Sequence, residues 1–404
     1  TLAYINKTDM FGDFGKIDFD TAVEKGLVEY VSADVIDKYF GLVKTRLVDT
    51  EVSAKAGLSV IYTPLNGTGN KPVRRILDMI GIKDVTVVES QELPDGNFPT
   101  CPFPNPEIRD AFNEALKTAE NKKADLLLAT DPDCDRVGIA VLDNGEYKLL
   151  TGNDVGCILI DYILSRKKAA GTLVEKPVVI KSIVTSDMAA QIAESYGAEV
   201  VNVLTGFKYI GEYITQLEEK GEVDRFEIGF EESYGYLTGA HTRDKDAVNA
   251  SMMICEAASY YKLQGKTLID ALDELHSRFG YWKNSLFNFF FEGADGMAKM
   301  AAIMDSLRKA YPRSLGGEKA VGADDYKKSV SVDFATGGES VLTLPKSNVI
   351  ALRFENGDKV VVRPAGTEPK IKVYTMVRGK DEKEASAKTS AYEKELLSLV
   401  GIGE

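Results

Sequence analysis

Three aspartates alternate in Asp131-Pro132-Asp133-Cys134-Asp135-Arg136, directly after the apolar run at residues 124–130. That run reads as a strand, so the carboxylates sit at a strand's C-terminal edge, where ligands of α/β sheets bind. Three oxyanions two residues apart, in a loop stiffened by proline, suit a hard divalent cation such as Mg²⁺. An acidic turn is the plainer reading, since Asp and Pro favour turns. An EF-hand is excluded, because Arg136 stands where its glycine belongs and Leu142 where its bidentate glutamate should be. A second group, Gly229-Phe230-Glu231-Glu232-Ser233-Tyr234-Gly235, follows another apolar run and offers carboxylates and hydroxyls suited to sugar hydroxyls. Adjacent acids after a strand also make an ordinary solvated loop. Arg243-Asp244-Lys245-Asp246 precedes a helical stretch, with Asp246 placed as its N-cap. A third group, Arg363-Pro364-Ala365-Gly366-Thr367-Glu368-Pro369-Lys370, joins two predicted strands. Its guanidinium, hydroxyl, glycine-exposed N–H groups and the nearby Lys370 and Lys372 form a phosphate cradle; the simpler alternative is a Pro-Gly connection.

The elements that must position these loops come in repeated α/β units. Residues 58–63 read as a strand, 64–69 as a tight turn and 73–80 as a helix. A strand at 85–89, a helix at 106–120 opened by Asn105-Pro106-Glu107, and the strand at 124–130 continue the pattern. Residues 136–142 and 146–150 flank Asp143-Asn144-Gly145, a hairpin turn. The rhythm repeats from residue 151, with strands at 178–184, 199–203 and 226–230 between helices that begin near 153, 187, 209 and 246. From residue 287 it changes to a strand, a helix at 296–309, a polar Gly-rich stretch, strands at 349–354, 359–362 and 371–377, and a helix at 382–399. The expected fold is α/β: two related α/β domains with mixed, largely parallel sheets (41–150 and 151–284), then a C-terminal α+β domain with an antiparallel sheet (285–404). Residues 1–40 are polar, helical in spacing and too short for a domain.

Composition bounds the partners. A net charge of −13 over 404 residues argues against nucleic acid or an anionic membrane surface. Any anionic ligand must meet a local basic cluster. Four scattered cysteines lack metal or disulfide spacing, and no apolar run reaches a membrane span or a signal segment, so a cytoplasmic protein with free thiols is expected. With only His241 and His276, a zinc site built on several histidines is excluded, and no Gly-x-Ser-x-Gly elbow occurs. Gly67-Thr68-Gly69 is followed by Pro72 where a dinucleotide fingerprint needs its third glycine.

Taken in this order, the Asp-Pro-Asp-Cys-Asp-Arg, Phe-Glu-Glu-Ser-Tyr-Gly and Arg-Pro-Ala-Gly-Thr-Glu-Pro-Lys loops resemble those of the α-D-phosphohexomutases, the phosphoglucomutase/phosphomannomutase family. Tyr62-Thr63-Pro64-Leu65-Asn66-Gly67-Thr68-Gly69, Pro104-Asn105-Pro106-Glu107 and Thr205-Gly206-Phe207-Lys208 extend the similarity over nearly the whole chain. The resemblance implies domains two, three and four of a four-domain enzyme, with residues 1–40 as the tail of the first. It implies that Asp131, Asp133 and Asp135 hold Mg²⁺, that Arg136 binds the transferring phosphate, and that Lys245 acts as general acid/base. It further implies that Lys208, Glu231 and Ser233 contact the sugar, and that Arg363, Gly366 and Thr367 grip the non-reacting phosphate. The implied reaction interconverts hexose 1-phosphate and hexose 6-phosphate, glucose favoured and mannose next, through a phosphoserine and a bisphosphate. The family's Ser-His-Asn does not occur in this sequence, so the chain alone is expected to be inactive. Ala365 replaces the serine usual in the phosphate loop, removing a hydrogen bond worth about 1 kcal/mol. Two other readings are a phosphosugar-binding protein without catalysis and a phosphatase with Asp131 as nucleophile and Asp133 as acid.

Overall fold

The computed structural model describes residues 2–12, 15–291, 293, 295–365 and 368–399. Residues 1–42 form one unit and 43–404 another. The first consists of the short helices Leu2–Ile5 and Phe19–Glu24, the latter capped by Asp18, and most of the helix Ala33–Lys44. It leaves Leu2, Tyr4, Met10, Phe11, Leu27 and Tyr30 exposed.

The second unit holds three sheets, and each begins from the patterns read above. In the first, Asp84–Val87, Ser59–Thr63 and Leu126–Thr130 pair in parallel, and Val137–Asp143 and Glu146–Leu150 are added antiparallel. Asn144 and Gly145 close that last hairpin with φ of 49° and 90°, the two left-handed residues that a type I′ turn requires. Leu126–Thr130 is buried throughout, so its C-terminal end must emerge at the rim of the sheet and carry the acidic loop with it. In the second sheet, Glu199–Val203, Val178–Ser182 and Phe226–Glu231 are parallel, and Gly235–Leu237 pairs antiparallel with the last. The third is wholly antiparallel, with Tyr281–Phe290, Lys370–Gly379, Lys359–Pro364, Ile350–Phe354 and Glu318–Asp325 as its main strands. The fold is therefore two α/β domains with mixed sheets followed by an antiparallel α+β domain.

Some local expectations shift. Residues 106–108 are not helical: Asn105 Oδ1 accepts the Glu107 N–H at 3.0 Å, an Asx turn that delays the helix to Asn113–Asn121 behind a 3₁₀ turn at Arg109–Phe112. The polar stretch after residue 309 contains four strands, because its apolar residues alternate rather than cluster. Asp246 is an N-cap as read, accepting from the N–H groups of Val248 and Asn249.

Within the second unit the domains share their packing. Ala247–Lys262, buried almost all round, lies against Val52–Ala56 and Asn70–Met79 of the first α/β domain as well as Gly152–Ala170 of its own. A further core joins Ile183, Val184 and Leu204 to Val349, Ala351, Val361 and Tyr374 of the antiparallel domain. Beside it Asp187 takes the ammonium groups of buried Lys181 at 2.9 Å and of Lys359 at 2.8 Å.

Within Ala247–Lys262, Glu256 is fully buried and its Oε1 accepts the N–H groups of Val48 at 2.8 Å and Asp49 at 2.5 Å. Burial pushes its carboxyl up to about 7. The folded chain therefore holds this proton more tightly than the unfolded chain, and the stability it brings is lost as pH rises from about 4.5 through about 7. Glu256→Gln keeps the accepting oxygen and removes the charge. Relative to the wild type the variant should gain about 2 kcal/mol between pH 5.5 and pH 8.0, read from denaturant unfolding at both pH values; parallel pH profiles would contradict this.

Candidate active site

The acidic loop is built around Asp131, which is 1 % exposed. Its Oδ1 accepts the N–H groups of Asp135 (3.0 Å) and Arg136 (2.9 Å), and its Oδ2 accepts Arg136 Nε at 2.6 Å. Burial raises the Asp131 carboxyl to about 6 despite these donors. One carboxylate oxygen each from Asp131, Asp133 and Asp135 lies within 4.8 Å of the others. The donor set is all oxygen, and Cys134, whose thiol burial pushes far up, is held out of it. Three carboxylate oxygens at this spacing can hold a hard divalent cation. The turn at residues 64–69 buttresses the loop: Thr68 N donates to Pro132 O at 2.8 Å, and a Cβ on Gly67 would stand 2.3 Å from Pro132 Cα. Only glycine permits that approach. Arg136 is aimed by Asp131, by Glu107 Oε1 at 3.1 Å and by Asn105 Oδ1 at 3.4 Å. This gives the Pro-Asn-Pro-Glu segment its place in the site.

Residues 232–234 form the turn of the hairpin between Phe226–Glu231 and Gly235–Leu237, a strand pair that the sequence reading took as one loop. Tyr234 adopts a left-handed φ of 66°, as Cys134 does at 59° in the acidic loop. Val137 N donates to Tyr234 O and so joins the two, while Ala247 N at the next helix start donates to Cys134 O, each at 3.1 Å. Lys245 crosses the same junction to reach Asp135 Oδ2 at 2.5 Å. Burial pulls the Lys245 ammonium down, but Asp135 and Asp244 outweigh it and hold it above its ordinary value. Glu231 Oε1 accepts the Gly206 N–H at 2.7 Å, and burial raises its carboxyl, with Lys245 and Asp135 among the nearby charges.

Thr205, next to Gly206, accepts from Arg363 Nη1 at 2.5 Å. Asp135 thus pairs with Lys245, whose charge acts on Glu231; Glu231 holds Gly206, and the adjoining Thr205 holds Arg363 of the antiparallel domain. Arg363 pairs in register with Lys372, whose ammonium is pulled down by burial and then by the charges of Arg363 and Lys370. Such crowding of cations is relieved by an anion. Ala365 N donates to Lys370 O at 2.8 Å; Gly366 and Thr367, expected to grip phosphate, lie outside the described residues. Lys208 opens the helix Phe207–Glu219 with its ammonium 4.9 Å from the Tyr209 ring centre. Ser233 lines a cavity of about 160 Å³ with Glu107, Glu232 and Tyr374, where all three domains meet.

Glu232 was missed as a site residue. Its carboxyl accepts from Ser182 Oγ at 3.0 Å, and burial, then the neighbouring Glu231, raise it to about 7, with Arg363 the compensating charge. No local signal marked it, because Glu232 lies in the hairpin turn beyond the strand's end at Glu231. His241 bonds Asp246 Oδ2 at 3.0 Å behind the helix start, and Arg243 pairs with Glu218 at 2.5 Å, so both brace the segment that presents Lys245.

Comparison with known proteins agrees with this geometry. Residues 37–145 match the model of phosphoglucomutase/phosphomannomutase α/β/α domain II, and residues 151–279 that of domain III. A phosphoglucomutase of Staphylococcus haemolyticus is 35 % identical over 353 residues, covering 87 % of this chain and 62 % of that protein. One of Staphylococcus aureus is 37 % identical over 325 residues, covering 80 % and 57 %. The chain therefore spans about three fifths of the curated relatives it matches. Among solved structures, the phosphoglucomutase pp63/parafusin of Paramecium aligns with a TM-score of 0.62 at 17 % identity, over 91 % of this chain and 62 % of that one. A phosphoglucomutase/phosphomannomutase family protein of Burkholderia thailandensis gives 0.62 at 14 % identity, over 95 % and 70 %. With both central domains matched, over more than half of its length, the chain belongs to the α-D-phosphohexomutase (phosphoglucomutase/phosphomannomutase) family.

Proposed function

We propose that the complete protein interconverts hexose 1-phosphate and hexose 6-phosphate, glucose before mannose, by phosphoryl transfer from a phosphoserine through a bisphosphate. The observation that carries this reading is the nearness of three pairs, Asp135 with Lys245, Glu231 with Gly206 and Thr205 with Arg363, which supports a cleft in which cation, sugar and distal phosphate are held by different domains. Asp131, Asp133 and Asp135 would hold Mg²⁺, which when bound supplies positive charge to phosphoryl oxygens. Arg136, fixed by Asp131 and Glu107, presents its guanidinium to the transferring phosphate; a metaphosphate-like transition state needs such placement and charge above all. Lys245 moves a proton to or from the sugar oxygen. Glu231, Ser233 and Lys208 orient the ring, while Arg363, Gly366 and Thr367 hold the phosphate that does not react. The site is set in a reducing, cytoplasmic protein, in keeping with four free cysteines; among the described residues no helix is long and apolar enough to cross a membrane.

Asp131 is pinned within its own loop by three accepted hydrogen bonds, which suits a fixed cation ligand better than an attacking nucleophile. In the complete enzyme, Glu231→Ala should lower kcat/KM for glucose 1-phosphate by about a hundredfold, chiefly through KM, the scale of one or two hydrogen bonds to a carboxylate. Steady-state assays with glucose and mannose phosphates test this and rank the two sugars. The present chain, lacking a Ser-His-Asn segment, should not turn over glucose 1-phosphate unaided. Hydrolysis of hexose phosphate without exchange between the two positions would overturn the mutase assignment.

A further inference from the structure

Lys245 Nζ stands 2.5 Å from Asp135 Oδ2, one of the three carboxylates whose oxygens cluster within 4.8 Å. A divalent cation among those oxygens would sit within a few ångströms of this ammonium, and like charges at that range repel strongly in a half-buried site. The acidic loop cannot swing away to relieve the repulsion, because Val137 N–Tyr234 O fastens it to the hairpin and Ala247 N–Cys134 O fastens it to the helix start beside Lys245. The lysine can move. Its stem passes over Gly235, where a Cβ would meet Lys245 Cδ at 2.4 Å, so the path is shaped by a missing side chain. Glu231, on the sugar side, and Asp244, with Oδ1 at 3.6 Å, offer alternative partners.

We propose that Lys245 is the resident counter-ion of the acidic loop and that a divalent cation displaces it, releasing the ammonium toward the sugar side of the cleft. Metal loading and arming of the lysine are then one event. The inference rests on the metal-binding reading of Asp131, Asp133 and Asp135, and adds an exchange that reading does not require.

The test uses the 404-residue chain and Mg²⁺ alone, by isothermal titration calorimetry. Lys245→Met should bind Mg²⁺ about tenfold more tightly than the wild type, the order expected on removing one nearby positive charge from a partly screened site. Lys245→Arg, which keeps the charge, should bind within about twofold of the wild type. A second readout needs no variant. Brief acetylation of the wild type followed by mass spectrometry should show Lys245 labelled at least about threefold faster with saturating Mg²⁺, with exposed Lys55 and Lys83 unchanged, since a released ammonium loses its ion pair. If the wild type binds Mg²⁺ but Lys245→Met binds no more tightly and Lys245 labelling does not change, the exchange is wrong and the metal site stands. If no chain binds Mg²⁺, both fall.

Discussion

Asp133→Asn in the complete enzyme should lower kcat by about a thousandfold or more while moving the unfolding midpoint of the protein very little, the loss expected when charge is withdrawn from a phosphoryl-transfer site. The separation of the two effects follows from the loop. Asp131 supplies its internal bonding through three accepted hydrogen bonds, whereas Asp133 is exposed and makes no hydrogen bond or ion pair among the described residues. Asparagine keeps the size and one oxygen but halves the donor strength toward a hard cation. Asp131→Asn is the informative contrast: it weakens the bond to Arg136 and so should reduce both kcat and thermal stability. Parallel measurements of kcat, Mg²⁺ affinity and thermal unfolding on the two variants decide the matter. An Asp133→Asn enzyme with near-normal turnover would remove Asp133 from the chemistry.

Arg363→Ala should lower kcat/KM for either hexose phosphate by about a hundred- to a thousandfold, since a guanidinium makes two charge-assisted bonds to phosphate worth roughly 1.5–3 kcal/mol each. Lys372, already held down by burial and by its neighbours Arg363 and Lys370, keeps a positive centre in the pocket, so binding should weaken rather than vanish. Arg363→Lys should recover part of the loss because it restores charge without the fork. The same change frees Thr205, which sits beside the Gly206–Glu231 bond, and some of the effect should therefore appear in kcat through sugar placement. Steady-state kinetics for all three proteins at two salt concentrations test this. If Arg363→Ala affects neither KM nor kcat, the loop at residues 363–370 is only a connection between strands.

Much of this organisation is legible in the residues. Largely apolar strands such as Leu126–Thr130 announce a sheet covered on both faces, and an acidic loop at the end of one announces a ligand edge. The helices Gly296–Lys309 and Glu382–Leu399 begin and end where their spacing says. What escaped the reading depended on partners far away in sequence. Pro106 signalled a helix start, but Asn105 capped Glu107 instead and Glu107 turned to Arg136. Gly235–Leu237 is too short to show alternation and is a strand only because Glu231 lies opposite Gly235. Glu232 looked like half of an acidic pair; its burial exists only where Ser182 and the antiparallel domain close over it. The ion pair between Lys245 and Asp135 spans two domains, and no local pattern encodes it.

The stitching of the acidic loop to the hairpin at residues 226–237 through Val137–Tyr234, and to the helix start through Ala247–Cys134, carries one more implication. Peptide groups, unlike side chains, have no second rotamer to adopt, so this seam holds the two loops at one spacing. On the proposed mutase reading, a bisphosphate whose ends visit the same spot in succession would somersault within a rigid frame. Catalysis would then depend on a guest that tumbles while its host stands still along that seam.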